Sequence, residues 1–178
     1  MSNFSSLLEC VIAPATNEAP TTTEAATTTE APITTEAPTT TDEYECRNEW
    51  TYFAHTKRCY RYYTTMKNWQ DALNFCKSET TNPSADLVSI PDRTTNDFLL
   101  NTMTNTQFWT EIWTGGYIQN GQWVWSDGSE WTGWTNWSNG NPSGGSEDHL
   151  EFYGQTGQWN DGQQSYQRRI LCQYDPSN

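Results

Sequence analysis

The chain has no Cys-x-x-Cys pair and only two histidines, His55 and His149. Closely spaced thiols are what a zinc ribbon or a dithiol redox centre needs. Imidazoles are the usual supplement in a structural zinc site, so neither class fits. No segment approaches eighteen consecutive apolar residues, and nothing reads as a membrane span. Leu7-Leu8 is followed at once by Glu9 and preceded by no basic residue, so no secretory signal of ordinary form is legible. Positive charge is scarce too: nine Lys and Arg against 22 Asp and Glu, a net charge of -13. Without a basic stripe, nucleic acid is not an expected partner, nor is a polybasic grip on anionic lipid. Hydrophobic residues make up only 34% and mean hydropathy is -0.87, lean for a single packed unit of 178 residues.

What is present is unevenly placed. Residues 1–45 hold eight of the acidic residues and no basic one. Within them, residues 15–43 repeat with a period of six: ATNEAP, TTTEAA, TTTEAP, ITTEAP, TTTDE. Regular prolines and the lack of large apolar groups prevent a packed core here. A tract rich in Thr and Pro reads as an O-glycosylated, mucin-like stalk rather than a bare spacer. From Cys46 onward the composition changes, and most of the ten Trp and nine Tyr lie there. Such rings can build a core with few aliphatic residues. The expected organisation is a disordered tail and stalk over 1–45 and one domain over 46–175.

The domain reads as α+β. "CRNEWTYFAHTKRCYRYY" has two aromatic-rich runs around a polar turn, a β-hairpin pattern. In "TTMKNWQDALNFCKSE", Trp69, Leu73 and Cys76 share one helical face, with Thr64 or Thr65 as the cap. "ADLVSI" is a short strand. "TTNDFLLNTM" is a second helix, with Thr94 and Asp97 in capping-box spacing. "QFWTEIWTGGYI" and "GQWVWS" alternate as strands, and "RRILCQY" closes a mainly antiparallel sheet. The stretch Asn139–Gln163 holds no apolar run able to make a core element. It gathers Pro142, the pair Glu147-Asp148, and Trp159-Asn160-Asp161. Carboxylates and amides together are the oxygens a hard cation uses. Scattered cysteines in an acidic, aromatic-rich chain fit a secreted, disulfide-bonded domain.

Residues 46–175 resemble a C-type lectin-like domain in its long form, with an extra N-terminal hairpin. "WQDALNFC" looks like the family's first helix with its cysteine, "IWTGG" like its core strand, and "WVWSDG" like the entry to its long loop. "SEDHLEF" and "QWNDG" stand where the family has its loop glutamate and its Trp-Asn-Asp motif, and "LCQY" resembles the closing strand. The resemblance implies two helices, antiparallel sheets and a long loop that carries the binding site. It also implies the bridges Cys46–Cys59 and Cys76–Cys172. Cys10 is left over, free to stay a thiol or to link chains into a homo-oligomer. A further family bridge is missing, because its positions hold His149 and Gln164. His149 therefore reads as a structural replacement, not a catalytic base.

In sugar-binding members, one calcium ion is held by two residues flanking a cis-proline, a following glutamate, and the Asn and Asp of Trp-Asn-Asp. Sugar hydroxyls complete that shell. Carried onto this chain, the expected metal ligands are Asn141, Glu147, Asn160 and Asp161, and the carbohydrate contacts are these four with Ser143. Asn141 and Ser143 match neither usual flanking pair, so the ion should be held weakly, since ligand charge tunes calcium affinity. Gly144 removes the acid of a second calcium site. The resemblance implies a secreted glycan- or glycoprotein-binding protein and no enzyme. The alternative is a calcium-independent binder of proteins or surfaces. Trp131, Trp134 and Trp137 could stack on a sugar ring or pack the loop; with no bulky aliphatics nearby, packing is the reading. Asn136-Trp137-Ser138 is a glycosylation sequon at Asn136.

Overall fold

Strand alternation explains how one sheet serves two cores. The computed structural model describes residues 45–81, 83–104 and 110–177. The chain divides into Met1–Thr40 and Thr41–Asn178; the stalk and Cys10 lie within residues 1–44, outside the described residues. In chain order the elements are β1 (Thr51–Phe53), β2 (Arg58–Lys67), α1 (Trp69–Glu79), β3 (Asp86–Leu87), α2 (Arg93–Phe98), β4 (Glu111–Gln119), β5 (Gln122–Trp125), β6 (His149–Tyr153), β7 (Trp159–Gly162) and β8 (Arg168–Tyr174). The strands form one sheet in the order β1-β2-β8-β4-β6-β7, with β3 on β8 and β5 on β4. Every pairing is antiparallel except β4 on β8, where Trp113 faces Ile170 in parallel. The α+β expectation holds, with that parallel pair added.

Successive residues of a strand face opposite sides. Cys59, Leu87, Trp113, Ile170 and Cys172 therefore pack with Trp69, Leu73 and Cys76 of α1. Their neighbours Tyr60, Val88, Ile112 and Leu171 pack on the other side with Leu150, Phe152 and Trp159. Gly115 and Gly116 of β4 are where this sheet is tightest. A Cβ on Gly116 would sit 2.7 Å from Leu150 Cβ, and one on Gly115 3.1 Å from the Leu87 carbonyl. Three buried indole N–H groups have acceptors: Trp113 donates to Lys67 O at 2.9 Å, Trp69 to Thr114 O at 2.8 Å and Trp159 to Asn96 Oδ1 at 2.9 Å. These bonds satisfy the polar ends of three large core rings.

Both helix caps differ from the expected ones. Helix α1 is capped by Asn68, whose side chain accepts from Asp71 N. Thr64 and Thr65 belong to β2, which runs on to pair Lys67 with Arg168. Helix α2 is capped by Asp92, accepting from Thr95 N at 2.8 Å, so it starts one residue before Thr94. It ends in a wider turn over Leu99–Met103. Two disulfides are present, Cys46–Cys59 and Cys76–Cys172, with Cα–Cα distances of 5.7 and 5.5 Å. The second ties α1 to β8.

The stretch Asn139–Gln163 is not mere loop, contrary to expectation. It contributes β6 and β7, and Leu150, Phe152 and Trp159 are fully buried. Each strand is only four or five residues long, and acidic residues interrupt the apolar ones, so no run is visible.

Candidate functional site

The long loop between β5 and β6 is fastened at its root by a half-buried charge. Asp127 accepts from Arg58 Nη1 at 2.7 Å, Gln173 Nε2 at 2.7 Å and Ser129 Oγ at 2.6 Å. Burial opposes ionisation of Asp127, but these donors outweigh it and its pKa is lowered. Further along, Trp131, Trp134 and Trp137 stand edge-on to Trp159, with centroids 6.0, 5.2 and 5.6 Å away. Trp131 also stacks on Trp125 at 4.7 Å. All three loop rings are half-buried, so they pack the loop. Ser138 N donates to Trp159 O, and Trp159 N to Asn136 O, which lays the loop beside β7. Asn136 Nδ2 donates to Gly157 O at 2.7 Å, so the atom that would carry a glycan is turned inward.

Beyond Ser138 the loop reaches the residues expected to bind. The Asn141–Pro142 peptide is cis. Asp161 is fully buried, and its two oxygens accept from Ser143 N at 2.8 Å and Gly144 N at 2.6 Å. Ser143 Oγ donates to Glu147 Oε2 at 2.6 Å. Ser143, Glu147 and Asp161 thus form one hydrogen-bonded group. Asn141 is not bonded into it; its Nδ2 donates to Ser138 Oγ at 2.7 Å. Asn160 follows the strand rule and faces away from Asp161. Its Nδ2 donates to Glu151 Oε2 at 3.0 Å and to Asp161 O at 2.7 Å. Asp161 joins the loop to β7 directly, through these backbone N–H groups.

These residues were tested against calcium by their free oxygens. Asn141 Oδ1, Glu147 Oε1 and Asn160 Oδ1 have no protein partner among the described residues. That is one carboxylate oxygen and two amide oxygens, so backbone carbonyls, water or sugar hydroxyls would have to supply the rest of the six to eight that calcium takes. Both oxygens of Asp161 already accept backbone donors, and no group of three or more His, Cys, Asp or Glu side chains able to hold a metal occurs among the described residues. With Asp161 held by the loop backbone, these side chains alone do not make up a calcium shell.

Glu151 and Arg168 belong to the site's frame and went unnoticed in the sequence. Glu151 of β6 is fully buried. Its Oε1 accepts from Arg168 Nε at 2.9 Å, and Glu111 Oε2 lies 3.4 Å from the same nitrogen. Burial raises the Glu151 pKa, against the opposing pull of Asn160 and Arg168. The available signal was weak: an acid between Leu150 and Phe152 in an alternating run. His149 is buried with its ring 4.4 Å from Trp69. Its Nδ1 is 2.6 Å from Asp148 Oδ1, yet burial lowers its pKa. It fills the place of the absent bridge by packing. Gln164 is exposed, and its carbonyl accepts from Trp69 N.

Fold, twin disulfides and the position of this loop define a class. Residues 65–174 match the Lectin C-type domain family model, and the chain belongs to that family. C-type lectin 1 of Hydrophis hardwickii is 29% identical over 139 residues, covering 74% of this chain and 80% of that one. C-type lectin lectoxin-Lio3 of Erythrolamprus poecilogyrus is 35% identical over 86 residues, 47% of this chain. The chain spans only 51% of that relative's length. The structure of C-type lectin CEL-I from Cucumaria echinata superposes with a TM-score of 0.66 at 27% identity, covering 72% of this chain and 96% of CEL-I.

Proposed function

We propose that residues 46–175 form a carbohydrate-binding domain on an O-glycosylated stalk, and that sugar hydroxyls dock at Asn141, Ser143, Glu147 and Asn160. The observation that carries this reading is the set of open acceptor oxygens on Asn141, Glu147 and Asn160, on a loop that Asp161 already holds in place. Acceptors of this kind suit the hydroxyl donors of a neutral sugar. Family membership supports a binding role, and no catalytic step is proposed. Two disulfides support an oxidising, extracellular location. Among the described residues no helix is long and apolar enough to cross a membrane.

Because Asp161 is engaged by the loop backbone, this binding needs no calcium bridge. A glycan array probed with the full chain in calcium and again in EDTA tests it. The expected result is the same set of neutral glycans retained in both, with intensities within about threefold. Loss of all signal in EDTA would return the site to a calcium-bridged reading. Silence in both conditions would leave a protein- or surface-binding module.

A further inference from the structure

We propose that Glu151 is a positioning residue of this site: from within the sheet it fixes the Asn160 amide so that Oδ1, not Nδ2, faces the ligand. This rests on the glycan-binding reading above. Glu151 and Asn160 are a direct cross-strand pair of β6 and β7, and such partners share one face of the sheet. The Asn160 Nδ2 has two acceptors, Glu151 Oε2 at 3.0 Å and the Asp161 carbonyl at 2.7 Å. Neither can donate. Turning the amide over would set Oδ1 against two acceptors and lose both bonds, so one orientation is enforced.

The surroundings are arranged to keep Glu151 in this role. Its other oxygen accepts from Arg168 Nε at 2.9 Å, so both oxygens act as acceptors. Gly162 lies diagonally across, two residues on from Asn160, and a Cβ there would come within 2.1 Å of Glu151 Oε1; glycine leaves the carboxylate its space. A buried ion pair is a poor stabiliser, since apolar residues of similar volume often do as well or better. Orientation of Asn160 gives the pair a purpose that packing alone does not. The consequence is a ligand class. An outward Oδ1 beside Glu147 Oε1 accepts from hydroxyl groups and repels sulfate or carboxylate, so the site takes neutral, hydroxyl-rich sugars.

The test exchanges the two chemistries. In Glu151→Gln, the Gln Oε1 keeps Arg168 and its Nε2 donates towards Asn160. The Asn160 amide then faces one donor and one acceptor, the Gln Nε2 and the Asp161 carbonyl, so its orientation is no longer enforced and Nδ2 is turned outwards part of the time. Neutral glycans retained by the parent are expected to bind about threefold more weakly or worse, a fraction of one hydrogen bond. A thermal melt of Glu151→Gln establishes that it is folded before binding is compared. A second readout needs no ligand: the Asn160 side-chain amide protons should exchange slowly in the parent and fast in Glu151→Gln. Equal exchange in the two, or parental binding by Glu151→Gln, would overturn the proposal. If the parent retains no glycan, the carbohydrate reading falls, and the exchange rates alone still decide the Asn160 orientation.

Discussion

Replacing Cys76 and Cys172 together by Ala is expected to cost about 4–5 kcal/mol of stability, because the bridge closes a loop with a sequence separation of 96 residues. At the usual slope for a domain of this size, the Tm falls by roughly 10–20 °C. The two cysteines are fully buried, so removing both sulfurs also leaves a void between α1 and β8. The Cys46–Cys59 bridge spans only 13 residues, and the same chain-entropy argument gives about 3 kcal/mol or less for it. Thermal melts of the two double variants, each against the oxidised parent, check the order. Equal losses would mean that loop length is not what sets the effect and that local strain in the hairpin matters as much.

The sequence revealed those parts of the fold whose cause is local. The buried face of α1 was legible because Trp69, Leu73 and Cys76 recur at helical spacing with nothing to contradict them. Its cap was not. Thr64 and Thr65 are good capping residues, but β8 recruits them into β2, and the pairing of Lys67 with Arg168 moves the helix start to Trp69. Long-range pairing overrode local preference. The same holds for β6 and β7. Neither has an apolar run, and each is a strand because it lies beside β4 or its partner, over Leu150, Phe152 and Trp159.

The candidate site was legible in membership but not in wiring. Ser143, Glu147 and Asp161 do converge, and the family motif led to them. That Asp161 would be buried and engaged by two backbone N–H groups could not be read from its neighbours, because its donors lie 17 and 18 residues away. Glu151 is harder still. A glutamate in a short strand looks like surface charge, and its burial depends on Arg168, 17 residues on, and on a glycine at 162. Buried carboxylates are visible only once their partners are placed.

Asp161 is where the two accounts of the loop part. If its carboxylate serves the loop backbone, then Asp161→Asn should destabilise the metal-free protein. An amide can keep one N–H partner with its oxygen, but its NH2 then faces the second N–H, donor against donor. A buried donor left unpaired costs about 1–3 kcal/mol, and bonds to a charged acceptor are at the upper end. Roughly 2–4 kcal/mol is expected for Asp161→Asn, and about a kcal/mol or more beyond that for Asp161→Ala, which abandons both Ser143 N and Gly144 N and opens a cavity. Glycan binding should fall with stability, since Ser143 and Glu147 lose their anchor to β7. Melting curves in EDTA and in millimolar calcium separate the causes. The expected result is a lower Tm for both variants in EDTA, with calcium moving neither the parent nor the variants appreciably. A parent that calcium stabilises by several degrees, beside an Asp161→Asn that melts like the parent in EDTA and does not respond to the ion, would assign the carboxylate to a metal instead.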